Sequence, residues 1–314
     1  MAMRTSSLLL ASLLLMGCGP VDPFTIGETG DGSSLNNGCV DYEPGTGSVA
    51  LEAVSRLNCY RNLMGLEPVV HDGALAAAAQ AHAEYMHATD EYGHLEGNPT
   101  HEFFSGATPS ERSRAAGFDF DSSESGMHEV VAFFEDGSDP SRAVDLWMNT
   151  VYHREPLSTP GITGVGFGSA GIYSVMEIAA PWESDGSVTL AIYPAPGQDN
   201  TKRSFDSDRE VPDPVPGLGE VGLPITVTAL APLWLSDDDP YGLRINRAET
   251  RLRSRGGVER PLVFLDPNDQ EVLLRTSAAV PAEPLPPNTT WDMTLVFTLG
   301  GEVYEETWSF ATGP

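Results

Sequence analysis

Positive charge is scarce in this chain. Its 17 Lys and Arg residues stand against 45 Asp and Glu, a formal net charge of −28 over 314 residues. Such a surface repels phosphate backbones and anionic headgroups, which excludes nucleic acid as a partner. Solubility is the simplest role for the excess of acid. Cysteine is rarer still: three residues limit the chain to a single intramolecular disulfide. Long apolar runs are missing too. The most apolar stretch, residues 8–16, is far shorter than the roughly 20 residues a membrane-spanning helix needs. Neither a His-Glu-x-x-His helix nor a Gly-x-Ser-x-Gly elbow occurs, which argues against the peptidases and esterases built on those devices.

The short apolar run has a purpose. Arg4 precedes Leu8-Leu9-Leu10-Ala11-Ser12-Leu13-Leu14-Leu15-Met16, the layout of a secretory signal. It ends in Leu15-Met16-Gly17-Cys18, which resembles a lipobox: the small Gly17 admits the peptidase and the Cys18 thiol takes the lipid. The alternative is an ordinary cleaved signal with a chance cysteine. The expected product is an exported lipoprotein tethered to the cell envelope through Cys18. Gly19, rather than Asp, follows the lipidated position, which fits sorting to the outer membrane or cell surface. Lipidation of Cys18 leaves Cys39 and Cys59, an even pair in an oxidising compartment. A bridge between them closes a loop of about 20 residues and contributes roughly 3 kcal/mol. Two free thiols remain the alternative.

Residues 19–47 are rich in Gly, Pro, Ser, Asn and Asp without apolar periodicity, and read as a flexible tether. Four helices follow. The first carries Val49, Val54, Leu57 and Leu63 near one face and stops at Gly65. Asp72 caps a second, with Leu75, Ala78, Ala79, His82 and Met86 on one stripe. Thr108-Pro109-Ser110-Glu111 is a capping box for a third, ended by Gly117. The fourth starts at Asp139-Pro140 and runs through Trp147 towards His153. Runs at 162–168, 172–180 and 188–193 then read as the strands of an antiparallel meander, giving an α+β layered domain. After the stiff Val211-Pro212-Asp213-Pro214-Val215-Pro216-Gly217 stretch no helical pattern returns. Trp291, Met293, Leu295 and Phe297 alternate strictly, as do Tyr304, Glu306, Trp308 and Phe310, so residues 201–314 are expected to form a β-sandwich. The Asp237-Asp238-Asp239 turn fits no EF-hand spacing and reads as a solvated loop.

Several ordered motifs in the first half resemble the CAP superfamily (cysteine-rich secretory, antigen 5 and pathogenesis-related proteins), and most of all its bacterial SCP-like branch. They are Asn58-x-x-Arg61 with Gly65-Leu66-x-Pro68, the Leu75/Ala79/His82/Met86 stripe, Gly93-His94, and Gly126-Met127-His128-Glu129-Val130. Trp147-Met148-Asn149-Thr150-Val151-Tyr152-His153-Arg154 and Gly164-Val165-Gly166 complete the set. The resemblance implies a CAP-type α-β-α sandwich over residues 48–196. The later half, through Pro286-Pro287-Asn288-Thr289-Thr290-Trp291 and Thr307-Trp308-Ser309-Phe310, resembles bacterial Ig-like modules.

The resemblance also implies a site: His94, Glu129 and His153 lining an open cleft, with Thr150 where animal members carry a second glutamate. Two imidazoles and a carboxylate are a reasonable first shell for a divalent metal such as Zn²⁺. His128 points to the other face of its strand and is left out. His82 is read as a satisfied core histidine and Trp147 as core. Loss of the second carboxylate weakens paired acid/base chemistry. The favoured function is therefore ligand binding (a lipid, a small hydrophobic molecule or a metal) without turnover. A metal-dependent peptidase or esterase, and a surface adhesin with a protein partner and no active cleft, are the alternatives.

Overall fold

The computed structural model describes residues 38–39, 48–232 and 242–314. The signal and Cys18, most of the tether and the Asp237-Asp238-Asp239 turn lie outside the described residues. Cys39 and Cys59 form a disulfide, with Cα atoms 5.9 Å apart.

Helix starts follow from local side-chain chemistry. Helix α1 (Val49–Leu63) begins where Ser48 Oγ accepts from Leu51 N at 3.2 Å. Helix α2 (Gly73–Thr89) begins where Asp72 accepts from Ala74 N and Leu75 N. Helix α3 (Pro109–Ala115) has Thr108 Oγ1 on Glu111 N, while the Glu111 carboxylate reaches back to Ala107 N at 2.8 Å. Helix α4 (Pro140–Met148) has Asp139 on Arg142 N at 2.7 Å. Each cap satisfies N–H groups that the first helical turn leaves without partners. The fourth helix ends at Met148 and does not continue to His153. A turn intervenes before the short α5 (Arg154–Ser158).

The first sheet holds β1 (Ser125–Phe133), β2 (Gly164–Ala170) and β3 (Tyr173–Pro181), antiparallel in the order β1-β3-β2. Side chains alternate across it. Val130, Ala132, Val165, Phe167, Met176 and Ile178 pack with α1 and α4 residues such as Leu57, Val144 and Trp147. Val131, Tyr173 and Val175 pack on the other face with Ala79, Ala83 and Met86 of α2. The sheet thus lies between helical layers, an α-β-α sandwich. Helix α2 approaches β2 closely because Gly166 and Gly168 present no side chain: a Cβ on Gly166 would lie 2.0 Å from Ala76 N, and one on Gly168 2.2 Å from Gln80 N.

Strand β4 (Thr189–Tyr193) departs from the expected meander. It leaves the first sheet and pairs antiparallel with β7 (Ile225–Leu230) of the later region. That sheet continues through β11 (Thr276–Pro281) to β10 (Leu262–Leu265). Facing it are β12 (Thr290–Leu299) and β13 (Glu302–Ala311), with β8 (Arg244–Ile245) and β9 (Arg251–Ser254) also paired to β12. Ile225, Val227, Ala279, Trp291, Met293, Leu295, Phe297 and Phe310 share one core between these sheets. A two-stranded ribbon of β5 (Ser204–Asp206) and β6 (Glu220–Gly222) brackets the proline-rich stretch. The chain is therefore α+β, an α-β-α layer followed by an all-β region.

Candidate functional site

Strand β1 turns Glu129 towards the α2 side of the sheet, directly opposite Glu177 of β3. His128, one residue earlier, faces the other way and packs edge-on to Trp182 at 5.9 Å. The loop after α2 carries Gly93 and His94, and contacts from three elements fix it. His82 Nε2 lies 2.8 Å from the Gly93 carbonyl, Arg112 Nη1 donates to the His94 carbonyl at 3.2 Å, and His94 Nδ1 lies 2.8 Å from Glu129 Oε1. Arg112 Nη2 donates to the second Glu129 oxygen. Glu129 is buried, whereas the His94 side chain is 38% exposed.

Around this contact lies a buried polar group. Arg112 Nε is 3.5 Å from Glu177 Oε1 and 4.0 Å from Glu96 Oε1, and none of the three side chains is exposed. Glu96 also accepts from Ser105 N and Oγ and faces His82 Nδ1 at 3.1 Å. Burial alone would push Glu129 up, but the Arg112 charge and the neighbouring imidazoles hold it well below the usual carboxylate range. Glu96 is lowered too: burial is outweighed by its bonds to His82 and Ser105. Glu177 goes the other way, raised well above the ordinary value by burial and by the adjacent Glu129 charge, with Arg112 opposing. Neither Glu177 oxygen makes a well-formed hydrogen bond. Two neighbouring carboxyls with opposed shifts make one the anion and the other the acid.

An ionised Glu129 requires His94 Nδ1 to be the donor. Nε2 of the neutral ring then carries a lone pair and has no protein partner among the described residues. Chemically this is an oriented imidazole that accepts a proton or a hydrogen bond from a molecule at the surface.

The other expected site residues are engaged elsewhere. His153 Nδ1 lies 3.0 Å from Glu210 Oε1, on a segment beyond the first sheet, and its ring is 18% exposed. Thr150 is buried and donates to the Trp147 carbonyl at 2.8 Å, closing the end of α4. Among the described residues no group of three or more His, Cys, Asp or Glu side chains is placed to hold a metal ion. Both Glu129 oxygens are engaged, by His94 and by Arg112, and His153 Nδ1 is bonded to a different carboxylate, so each of the two imidazoles has only its Nε2 left for a ligand. His82 is the satisfied core histidine the sequence suggested, with 0% exposure and partners at both nitrogens, and Trp147 is core.

Sequence reasoning missed Arg112, Glu177, Glu96 and Glu210. Glu177 had a signal, a lone charge inside the apolar run Val175-Met176-Glu177-Ile178-Ala179. The others sit in ordinary polar stretches and had none.

Residues 54–176 match the CAP family, the cysteine-rich secretory protein family. No curated protein matches the chain. Among solved structures, an extracellular protein containing an SCP domain from Bacillus anthracis aligns at 20% identity with a TM-score of 0.36. The alignment covers 42% of this chain and 40% of that one, so the chain spans less than half the length of that protein. From within α1 to the middle of β3, the chain matches the CAP family of cysteine-rich secretory proteins.

Proposed function

We propose that the protein is an exported, envelope-tethered CAP-domain lipoprotein that binds a small amphipathic ligand at His94 without turning it over. One observation carries this reading: His94, partly exposed, has its Nδ1 fixed by a buried carboxylate that is itself fixed by Arg112, which leaves Nε2 as the ring nitrogen for a ligand. Tyr92 and Leu95, which flank His94 in the same loop, and Phe103 further along are large apolar side chains exposed at 42%, 44% and 41%. A ligand with an apolar body and one hydrogen-bond donor suits that combination. Export is supported by the signal and by the Cys39–Cys59 disulfide, a bond characteristic of oxidising compartments.

The experiment uses protein lacking residues 1–18, fluorescent fatty-acid and sterol probes, and the His94→Ala variant. Removing one hydrogen bond to a ligand is expected to weaken binding by about two- to tenfold, and the variant should also melt somewhat lower, because Glu129 loses a buried partner. Equal binding by both proteins would refute the His94 reading. Ester or peptide hydrolysis lost in the variant would replace it with the hydrolase alternative. The tether is tested separately. Cys18→Ser protein is expected in the soluble fraction, and continued pelleting with membranes would remove the anchor.

A further inference from the structure

Three consecutive backbone N–H groups converge on one carboxylate. Val151 N donates to Glu210 Oε2 at 2.8 Å, and Tyr152 N and His153 N donate to Oε1 at 2.6 and 3.1 Å. The His153 ring adds Nδ1 at 3.0 Å from Oε1. Both oxygens are used, and the Glu210 side chain has no exposure. The fully buried Arg154 guanidinium lies close enough to interact electrostatically with it. Successive N–H groups in a turn form a concave anion holder, and charge-assisted bonds of this kind are roughly twice as strong as neutral ones.

The shape of this turn has its own supports. Thr150 Oγ1 donates to Trp147 O, Asn149 Nδ2 to Asp145 O, and Arg154 Nε to Met148 O at 2.6 Å. Every one of these bonds lies within residues 145–154, inside the CAP match. Glu210 lies outside that match, just before the proline-rich stretch. The CAP domain thus builds the donors, and the later region delivers the anion.

We propose that the 150–154 turn is a carboxylate-binding site which Glu210 occupies in cis. The class of molecule it recognises carries a carboxylate and competes with Glu210. A tethered group acts at a high effective concentration, so free carboxylates bind the wild-type chain poorly and the site becomes available only when Glu210 withdraws. This proposal does not depend on the His94 reading, which concerns a different loop and a different carboxylate.

The test compares the full chain with its Glu210→Ala variant, at constant pH and ionic strength, as sodium acetate replaces sodium chloride. In wild type, acetate and chloride should give the same melting temperature. Glu210→Ala should melt lower and recover towards wild type as acetate is raised, with saturation. The amide signals of residues 151–153 should shift over the same acetate range. An acetate response equal to that of wild type, or the absence of those shifts, overturns the proposal. Should Glu210→Ala fail to fold with or without acetate, Glu210→Gln decides. It keeps the volume but turns an amide donor towards the backbone N–H groups, so a lower melting temperature and displaced 151–153 amides are expected. A Gln variant as stable as wild type with unmoved amides overturns it equally.

Discussion

Arg112 reaches three buried carboxylates, those of Glu96, Glu129 and Glu177, and its loss would leave them without the cation that compensates their burial. Breaking a buried pair by removing one partner costs about 3–5 kcal/mol. Arg112→Met is therefore expected to lower stability by that order in urea titration, and Arg112→Lys to restore only part of it, because one ammonium cannot meet Glu129 and Glu177 through separate nitrogens. The opposed shifts of Glu129 and Glu177 give a signed pH dependence. Glu177 is raised in the fold, so its contribution is complete below its unfolded value of about 4.3 and is lost as pH rises through the folded value. Glu129 is lowered, so its contribution is present above the unfolded value and lost as pH falls. Glu177→Gln imitates the protonated acid at every pH. It should flatten the decline between mildly acidic and alkaline conditions while leaving acid unfolding in place. An unchanged slope in thermal melts across that range would show that Glu177 ionises normally. At this scale His94 and Glu129 were legible, because their motifs carried them. The pairing of His153 with Glu210 was not, since no local pattern links residues that meet only through the tertiary fold.

Helix α2 and strand β2 show what an element can and cannot reveal. Ala76, Ala79 and the glycines Gly166 and Gly168 of β2 are small for one shared reason: the helix backbone lies directly on the strand. The sequence showed that α2 permits close packing, and the structure supplies its partner. A methyl at Gly166 would meet backbone atoms of α2 that cannot rotate away, so the helix itself must move. Gly166→Ala is expected to destabilise by about 3 kcal/mol or more, whereas Gly186→Ala, with nothing within 4 Å but a φ of +110°, tests backbone strain alone. A Gly166→Ala protein that melts like wild type would mean that α2 does not sit this close. Three of the four main helices announced their starts through the caps Asp72, Thr108 and Asp139, because capping is chemistry within a few residues, and the first through its apolar face and the Gly65 stop. Strand β4 was legible as a strand but not as a member of the right sheet. Alternation reports which face is buried, while the choice between β3 and β7 as neighbour is made by contacts outside the strand.

Across the whole molecule, the turn and helix that carry the His-Arg motif serve as the joint between the two regions. Arg154 donates to the Pro224 carbonyl at 2.6 Å and to Thr226 Oγ1 at 3.2 Å, and Glu155 accepts from Leu274 N and Arg275 N. Tyr152 bonds to Gln270, Ser158 to Thr228, and Arg275 to the Pro181 carbonyl. Arg154 and Glu155 are buried at this joint, so separating the regions would strip Arg154 of Pro224 and Thr226 and Glu155 of Leu274 and Arg275. The strand pairing reinforces the joint, because β4 precedes the boundary suggested at residue 196 yet has its partner, β7, beyond it. A linker that merely joined two beads would allow two independent unfolding events. This arrangement couples them, since melting the later region strips β4, Glu210 and the Arg154 acceptors from the first. Calorimetry of the chain after residue 18 should accordingly show one transition, and a fragment ending at residue 196 should be poorly soluble or molten. Recovery of that fragment as a monomer with a sharp melt close to the parent's would mean that the CAP region folds without its neighbour, and the interactions across the joint would then stabilise an association rather than the fold.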